Sequence, residues 1–291
     1  MLGKMLGELD GAVFVGEVNF FWADGVLGGR PCGCGVPVKE CPIWARIVGR
    51  LGNDPAARSR DIVTMLAETT RTRHGLAMLS PFGRRHRVQR RREIAEHLGA
   101  LYRAIAAEFQ VDVIIDSSKS PMYGEILVQM DGIEIETVHL IRDPRAVADS
   151  WRRPKQESIG GSVLPRFGLS HSSVLWLVTN LLAARRRTSA APYVRVRYED
   201  LMNDTAQQMA MICQALGRAT AGLDIADDGR SVSLGTSHSI AGNPNRFETG
   251  AIALRRDDGW QSRITALEHR MITVLTLPGL RAFGYPARRV R

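Results

Sequence analysis

The segment IETVHLIRDPRAVADSW, residues 135–151, predicts a β-strand that runs directly into an α-helix. Asp143 is a favourable N-cap residue and Pro144 suits the first helical turn, so we expect the helix to begin immediately after Arg142. Ser150 follows Asp143 by nearly two turns, which returns its hydroxyl to the face of the cap. Arg142 and Ser150 could therefore hold one anion together, aided by the positive end of the helix. The alternative is that Arg142 pairs with a nearby carboxylate while Ser150 faces solvent.

Strands and helices alternate on both sides of this segment. Further strands are predicted in AVFVGE, VDVIID and YVRVRY, separated by helices such as RREIAEHLGALYRAIAAEF. This order predicts an α/β fold with a mostly parallel sheet. The unbroken apolar run Val113, Ile114, Ile115 predicts a strand that is buried on both faces.

The chain shows no repeat, low-complexity block or linker, so we expect one domain over residues 1–291. Residues 218–260 have little periodicity and many Gly, Asn, Asp and Arg residues, which predicts a long functional loop. Residues 281–291 form a basic tail.

Composition restricts the classes of function. The apolar fraction of 44% supports a globular core, and no apolar run is long enough to cross a bilayer. A secretory signal pattern is absent at the start, which predicts a cytoplasmic location. The net charge is +9, mostly from arginine, and this indicates an anionic partner such as a nucleotide, a nucleic acid or an anionic membrane.

Three of the four cysteines lie close together, at Cys32, Cys34 and Cys41. Their C-x-C-x6-C spacing raises the possibility of zinc, but no second knuckle follows and no fourth ligand is near in sequence. The pattern favours a compact Gly/Pro-rich loop with buried or redox-labile thiols. The sequence therefore predicts no metal site.

Polar residues follow several predicted strands at their carboxyl ends, where open parallel sheets bind ligands. Glu17 follows the first strand and Lys119 lies three residues after VIID. Arg142 follows the strand VHLI, and Tyr198 follows YVRVR. Together they supply cations, an aromatic ring and a carboxylate.

Several blocks of the chain resemble the sulfotransferases that use 3′-phosphoadenylyl sulfate (PAPS), in their bacterial and carbohydrate-type branch. The blocks are CGCGVPVKECPIW (32–44), DSSKSP (116–121), IRDPRAVADSW (141–151), RYEDL (197–201) and HSIAGNPNRF (238–247). Their shared order is more specific than any one block. The resemblance covers about residues 1–260 and implies a P-loop-NTPase-like sulfotransferase fold with a mostly parallel sheet.

The resemblance also implies which residues bind PAPS. Arg142 and Ser150 are expected to hold the 3′-phosphate, and Tyr198 is expected to lie near the adenine. Asn243 and Arg246 are expected to close over the phosphate.

For catalysis, the resemblance places Glu17 as the base that takes the proton of an acceptor hydroxyl. Lys119 stands where cytosolic relatives carry a catalytic histidine, and we expect it to stabilise charge on the transferring group. The alternatives are that Glu17 caps an element or forms an ion pair near a sheet edge, and that Lys119 is a solvated loop lysine. No metal is required for this chemistry.

The start of the chain departs from the family pattern. Leu2, Met5, Leu6 and Leu9 form one helical face, but nothing before them could cap a helix. The resemblance implies that the first strand and the loop that binds the 5′-phosphosulfate are missing, through a misassigned start or a true truncation. An inactive relative that binds PAPS or its desulfated product is therefore an alternative function.

A second alternative is nucleic-acid binding through the basic run Arg84–Arg92, which contains no aromatic residue and is more typical of a solvated face. No nucleic-acid partner is expected. The acceptor is predicted to be a small-molecule, glycan or lipid hydroxyl, in a pocket shaped by residues 20–60 and 155–170. Trp22, Trp44 and Phe167 could stack on it, or could belong to the core.

Overall fold

The computed structural model describes residues 1–52, 54–70, 81–154, 166–188 and 191–288, and for residues 81–90 and 188 it describes the backbone alone. Residues 155–165 of the expected acceptor loop (155–170), most side chains of the Arg84–Arg92 run and the last three residues of the tail lie outside the described residues. No helix in the described part of the chain is long and apolar enough to cross a membrane.

Helices and strands alternate along the described residues. The α-helices are α1 (Leu2–Gly7), α2 (Pro42–Arg50), α3 (Pro55–Thr70), α4 (Pro81–Phe109), α5 (Pro121–Leu127), α6 (Pro144–Arg152), α7 (Leu169–Ala184), α8 (Tyr198–Asn203), α9 (Thr205–Ala215), α10 (Trp260–Arg263) and α11 (Ala266–Phe283). The strands are β1 (Ala12–Gly16), β2 (Val113–Asp116), β3 (Thr137–Ile141), β4 (Tyr193–Arg197), β5 (Ser231–Leu234) and β6 (Gly250–Ala253).

The strands pair in twos, and the two pairs nearest the predicted site are parallel. β1 pairs with β2, and β3 pairs with β4 in a continuous register from Thr137–Tyr193 to Ile141–Arg197. The predicted α/β class with parallel pairing is therefore confirmed. Parallel pairing also places the residues that follow β1 and β2 at one end of their pair, and those that follow β3 and β4 at one end of theirs.

Two expectations were wrong, one for the burial of β2 and one for residues 218–260. All four residues of β2 are half-buried rather than buried on both faces, because within the described residues β2 pairs along one edge only, with β1. Residues 218–260 are not one long loop, since β5 and β6 form an antiparallel pair there. The short alternation of buried Val232 and Leu234 with exposed Ser233 was too brief to stand out in the sequence.

The largest apolar core lies around β1, α2, α4 and α5. Trp22 and Trp44 are fully buried in it, so these two tryptophans are core residues rather than exposed stacking surfaces. Phe167 instead stacks on His171, with ring centroids 5.1 Å apart.

A second core explains the apolar face at the start of the chain. Leu2, Met5, Leu6 and Leu9 pack with residues of β4, β5 and α9. The helix predicted there is confirmed as α1, and its stability comes from this packing rather than from a side-chain cap.

The junction between β3 and α6 is held by a buried ion pair. The Asp143 carboxylate caps α6 by accepting from the Arg145 backbone N–H at 2.9 Å. The Arg145 guanidinium donates to both Asp143 oxygens, at 2.8 and 2.6 Å, and also contacts His269 of α11 at 2.9 Å. With the Arg145 side chain only 2% exposed, this network fixes the start of α6 against α11.

We expect Arg145→Met to lower the free energy of unfolding by about 3–5 kcal/mol, because it leaves the Asp143 carboxylate buried without its partner charge. Urea unfolding measures the loss. Arg218→Met is the matched control, since the Arg218–Glu136 pair is partly exposed and should be worth less than about 1 kcal/mol. Equal losses in the two variants would contradict the assignment.

A buried histidine links β3, β4 and α7. His139 Nδ1 lies 2.6 Å from the Tyr193 hydroxyl and Nε2 lies 2.9 Å from Asn180 Oδ1. Burial lowers the pKa of His139, the charge of Arg195 lowers it further, and the Asn180 hydrogen bond opposes the shift. His139 therefore stays neutral in the folded protein at a pH where the unfolded chain binds a proton.

This difference predicts that the free energy of unfolding decreases as the pH is lowered. His139 contributes no pH dependence well above its ordinary pKa of 6.5, and below it the unfolded state gains protons first, costing at most about 1.4 kcal/mol per pH unit. Urea unfolding between pH 7 and pH 5 should show a shallower decline in His139→Gln than in His171→Gln. Parallel pH profiles for the two variants would refute the prediction.

Candidate active site

The two predicted catalytic residues are in direct contact. Glu17 follows β1 and Lys119 lies just after β2, 102 positions later, and Lys119 Nζ donates to Glu17 Oε1. The Glu17 side chain is 12% exposed and the Lys119 side chain 61% exposed. A sheltered carboxylate and an accessible cation therefore meet at one end of the β1–β2 pair.

Asp116 organises the backbone around this contact. Its Oδ1 accepts from the backbone N–H of Val18 at 3.2 Å and of Ser118 at 2.7 Å, and its Oδ2 accepts from the Tyr102 hydroxyl. Burial raises the pKa of Asp116, although these hydrogen bonds oppose the shift. One carboxylate thus holds the segments that carry Glu17 and Lys119.

The late segment Ser237–Gly242 packs against Glu17. The Ile240 N–H donates to Val15 O at 3.0 Å, so the segment runs beside the end of β1. A Cβ on Gly242 would lie 3.7 Å from Glu17 Oε1. The sequence placed Glu17 and this segment in separate blocks, and the fold brings them together.

Asn243 and Arg246 follow in a short 3₁₀ turn. Asn243 is exposed, whereas Arg246 is 2% exposed. The Arg246 guanidinium donates to the carbonyls of Ser239 and Pro31, at 2.9 Å each, and lies over the Phe247 ring. These contacts tie the turn to the segment before it and to the loop that contains Cys32, and the phosphate role of both residues stays a prediction.

A second group of predicted residues follows β3 and β4. The Arg142 guanidinium lies over the Tyr198 ring, 4.4 Å from its centroid, and donates to Asp257 through the carbonyl at 2.8 Å and Oδ2 at 3.1 Å. The alternative raised from the sequence, that Arg142 pairs with a carboxylate, is thus what the structure shows. Arg142 Nε is buried and makes no hydrogen bond within the described residues.

Asp257 also lies near Arg153, which directly follows α6, and near Arg263 of α10. Its carboxylate lies 3.7 Å from Arg153 and 3.7 Å from Arg263. Burial acts to raise the pKa of Asp257, but the Arg142 hydrogen bond and the charges of all three arginines outweigh it and hold the pKa below its ordinary value. Ser150 lies in α6, three residues before Arg153. It is half-buried next to the fully buried Asp149, and its phosphate role stays a prediction.

Comparison with known proteins finds a family match in the central part of the chain. Residues 134–221 match the family model described as "Sulfotransferase family". This stretch of the chain is similar to the sulfotransferase family. The match covers less than a third of the chain and includes Arg142, Ser150 and Tyr198, while Glu17 and Lys119 lie outside it.

One solved sulfotransferase domain shares the fold. The "Sulfotransferase Domain from the Curacin Biosynthetic Pathway" matches with a TM-score of 0.53 and 13% identity, over 98% of this chain and 93% of that one. The "Sulfotransferase Domain from the Synechococcus PCC 7002 Olefin Synthase" matches with a TM-score of 0.46 and 16% identity, over 94% of each chain. The first likeness supports the predicted P-loop-like sulfotransferase fold and bears on nothing else. A search of curated proteins gives no match.

The sequence analysis did not predict Asp257, Arg153 and Arg263 around Arg142. The sequence contained a signal for two of them. Arg153 lies three residues after Ser150, and Asp257 lies in the stretch 218–260 that was predicted to be functional. Asp116 lies in the block DSSKSP, and no role was predicted for it. A carboxylate at the end of a predicted strand was the signal for it.

Gly16 sets the direction of Glu17, and we expect Gly16→Ala to disturb it. Gly16 has φ +78°, and a Cβ there would lie 2.8 Å from Ala241 O and 2.9 Å from Ile240 N. The substitution should cost about 1–3 kcal/mol more in urea unfolding than Gly11→Ala. Gly11 has a similar φ of +74° but open space around it, so it carries the backbone strain alone. A cost no greater than that of Gly11→Ala would disprove the close packing.

Proposed function

We propose that this protein transfers a sulfuryl group from PAPS to a hydroxyl acceptor by in-line displacement. The observation that carries the proposal is the contact between Glu17 and Lys119 at the end of two parallel strands. It joins a sheltered carboxylate to an exposed cation. The match of residues 134–221 to the sulfotransferase family model and the shared fold support the reaction class.

Glu17 acts as the base in this proposal. Its carboxylate accepts the proton of the acceptor hydroxyl, and the hydroxyl oxygen bonds to sulfur while the bond from sulfur to the 5′-phosphate oxygen breaks. The products are a sulfate ester and adenosine 3′,5′-bisphosphate. Lys119, on its flexible stem, turns from Glu17 toward the oxygens that gain charge.

The donor binds at the ends of β3 and β4 in this proposal. Arg142 has a buried Nε that can donate to a 3′-phosphate oxygen, and the proposed role of Ser150 is a second donor to the same group. The phosphate competes with Asp257 for the guanidinium groups of Arg142, Arg153 and Arg263. Tyr198 is proposed to contact the adenine, and Asn243 and Arg246 to close the phosphate side.

Acceptors to be tested are small-molecule, glycan and lipid hydroxyls. The cytoplasm remains the proposed location, and this chemistry needs no metal at the reacting atoms. Binding of adenosine 3′,5′-bisphosphate without transfer would support the alternative of an inactive nucleotide-binding relative. Absence of both binding and transfer from the intact protein would contradict the proposal.

Transfer of labelled sulfate from PAPS to a panel of acceptors tests the roles. Glu17→Gln should reduce transfer by about 10²–10⁴-fold, and Lys119→Ala by about 10²–10³-fold. Both variants should retain binding of adenosine 3′,5′-bisphosphate in calorimetry, because neither residue is assigned to the 3′-phosphate. Arg142→Ala should weaken that binding by about 10–100-fold, through loss of charge-assisted hydrogen bonds.

Glu40→Gln and Lys39→Ala are the matched controls, because both residues are exposed in the nearby loop. They should leave binding and transfer unchanged. Transfer that survives in Glu17→Gln at the wild-type rate would remove Glu17 as the base.

A further inference from the structure

Three thiols and an imidazole converge outside the proposed active site. Cys41 Sγ lies 3.2 Å and Cys32 Sγ 3.7 Å from His238 Nδ1, and Cys34 Sγ lies 3.8 Å from Cys41 Sγ. All four atoms lie within 4.8 Å of one another. Two sulfurs bound to one tetrahedral zinc at about 2.3 Å are separated by about 3.8 Å, so the spacing suits one ion.

The backbone of residues 31–41, called the cysteine loop below, is folded into a compact turn. The Cys32 N–H donates to Val36 O at 2.7 Å, and the Gly35 N–H donates back to Cys32 O at 2.8 Å. Pro31 and Pro37 pair across the turn. This places Cys32 and Cys34 on the same side as Cys41, which directly precedes α2.

His238 is held against the loop by independent contacts. The Trp44 indole N–H donates to His238 O at 2.8 Å, and the Gly33 N–H donates to Ser239 O at 2.8 Å. Any side chain on Gly33 would clash with the Ser237 carbonyl, so the glycine permits the close approach. The ligand atoms are therefore brought together by packing that does not itself require an ion.

We propose that Cys32, Cys34, Cys41 and His238 bind one structural zinc ion, through three sulfurs and Nδ1. Four protein ligands fill the tetrahedral shell and leave no open position for a reacting group, which indicates a structural rather than a catalytic ion. Thiolate and imidazole ligands select zinc over magnesium or calcium. The sequence pattern predicted no site because its fourth ligand lies 197 positions beyond Cys41.

The zinc ion braces one wall of the candidate active site. It joins the cysteine loop to the segment Ser237–Gly242, which packs on β1 beside Glu17. Arg246 makes a second tie between the same two parts of the chain, through Pro31 O and Ser239 O. The zinc proposal does not rest on sulfuryl transfer, and a failure of either can be recognised separately.

Metal analysis of the full chain, purified without chelator, tests the proposal. Plasma mass spectrometry should find about one zinc per chain. Cys41→Ser and His238→Ala should lose most of it, with zinc affinity reduced about a hundredfold or more. Cys213→Ser and His171→Ala are the matched controls and should keep it, because Cys213 is a buried cysteine and His171 a histidine outside the cluster.

Cobalt titration of the metal-stripped wild-type chain provides a measurement that does not depend on the variants folding. One equivalent of cobalt(II) should give thiolate-to-cobalt charge transfer and the visible bands of a tetrahedral site, and zinc should abolish both. Removal of zinc should lower the thermal unfolding temperature. A wild-type chain without zinc and without the cobalt spectrum overturns the proposal. Unchanged zinc in His238→Ala, or a Cys34–Cys41 disulfide in protein isolated under nitrogen, overturns it too.

Discussion

The close backbone approach of the segment Ser237–Gly242 to β1 is the constraint on which one side of the candidate active site depends. The segment hydrogen-bonds to Val15 and lies over Gly16, where no side chain would fit. It therefore fixes the peptide from which Glu17 projects. The same segment contacts the cysteine loop through Gly33, so two parts of the chain that lie far apart in sequence form one wall.

The other side of the site is built from charge rather than backbone contact. Asp143 and Arg145 hold α6 at the end of β3, and the arginines near its two ends meet at Asp257. Asp257 neutralises part of a strongly positive cluster in the resting protein. An anion that binds there exchanges one negative partner for another, so its affinity is a difference between two ionic interactions rather than the full strength of one.

The local structure of the chain could be predicted from its sequence. The Asp143 cap, the strand that precedes Arg142 and the apolar face of α1 follow from short-range rules, and the structure shows each of them. Placing Glu17 and Lys119 after their strands also needed only the pattern of strands. Their direct contact depends on β1 pairing with β2, which parallel pairing made a reasonable expectation.

Contacts over long separations could not be read in the same way. His238 lies beside Cys41 and Asp257 beside Arg142 because of where two late segments pack, and no local spacing encodes those positions. The half-buried state of β2 likewise depends on which strands lie beside it, and composition reports only that its residues are apolar. The short strands β5 and β6 follow from their packing on α1 more than from their own pattern.

The distance along the chain between Cys41 and His238 has a consequence for biosynthesis. Translation of the intervening 197 positions takes on the order of ten to forty seconds at ordinary rates of elongation. During that interval the three cysteines have left the ribosome before the histidine that meets them exists. The nascent chain therefore carries a cluster of unshielded thiols, and the wall beside Glu17 can close only after residues 237–242 have been made.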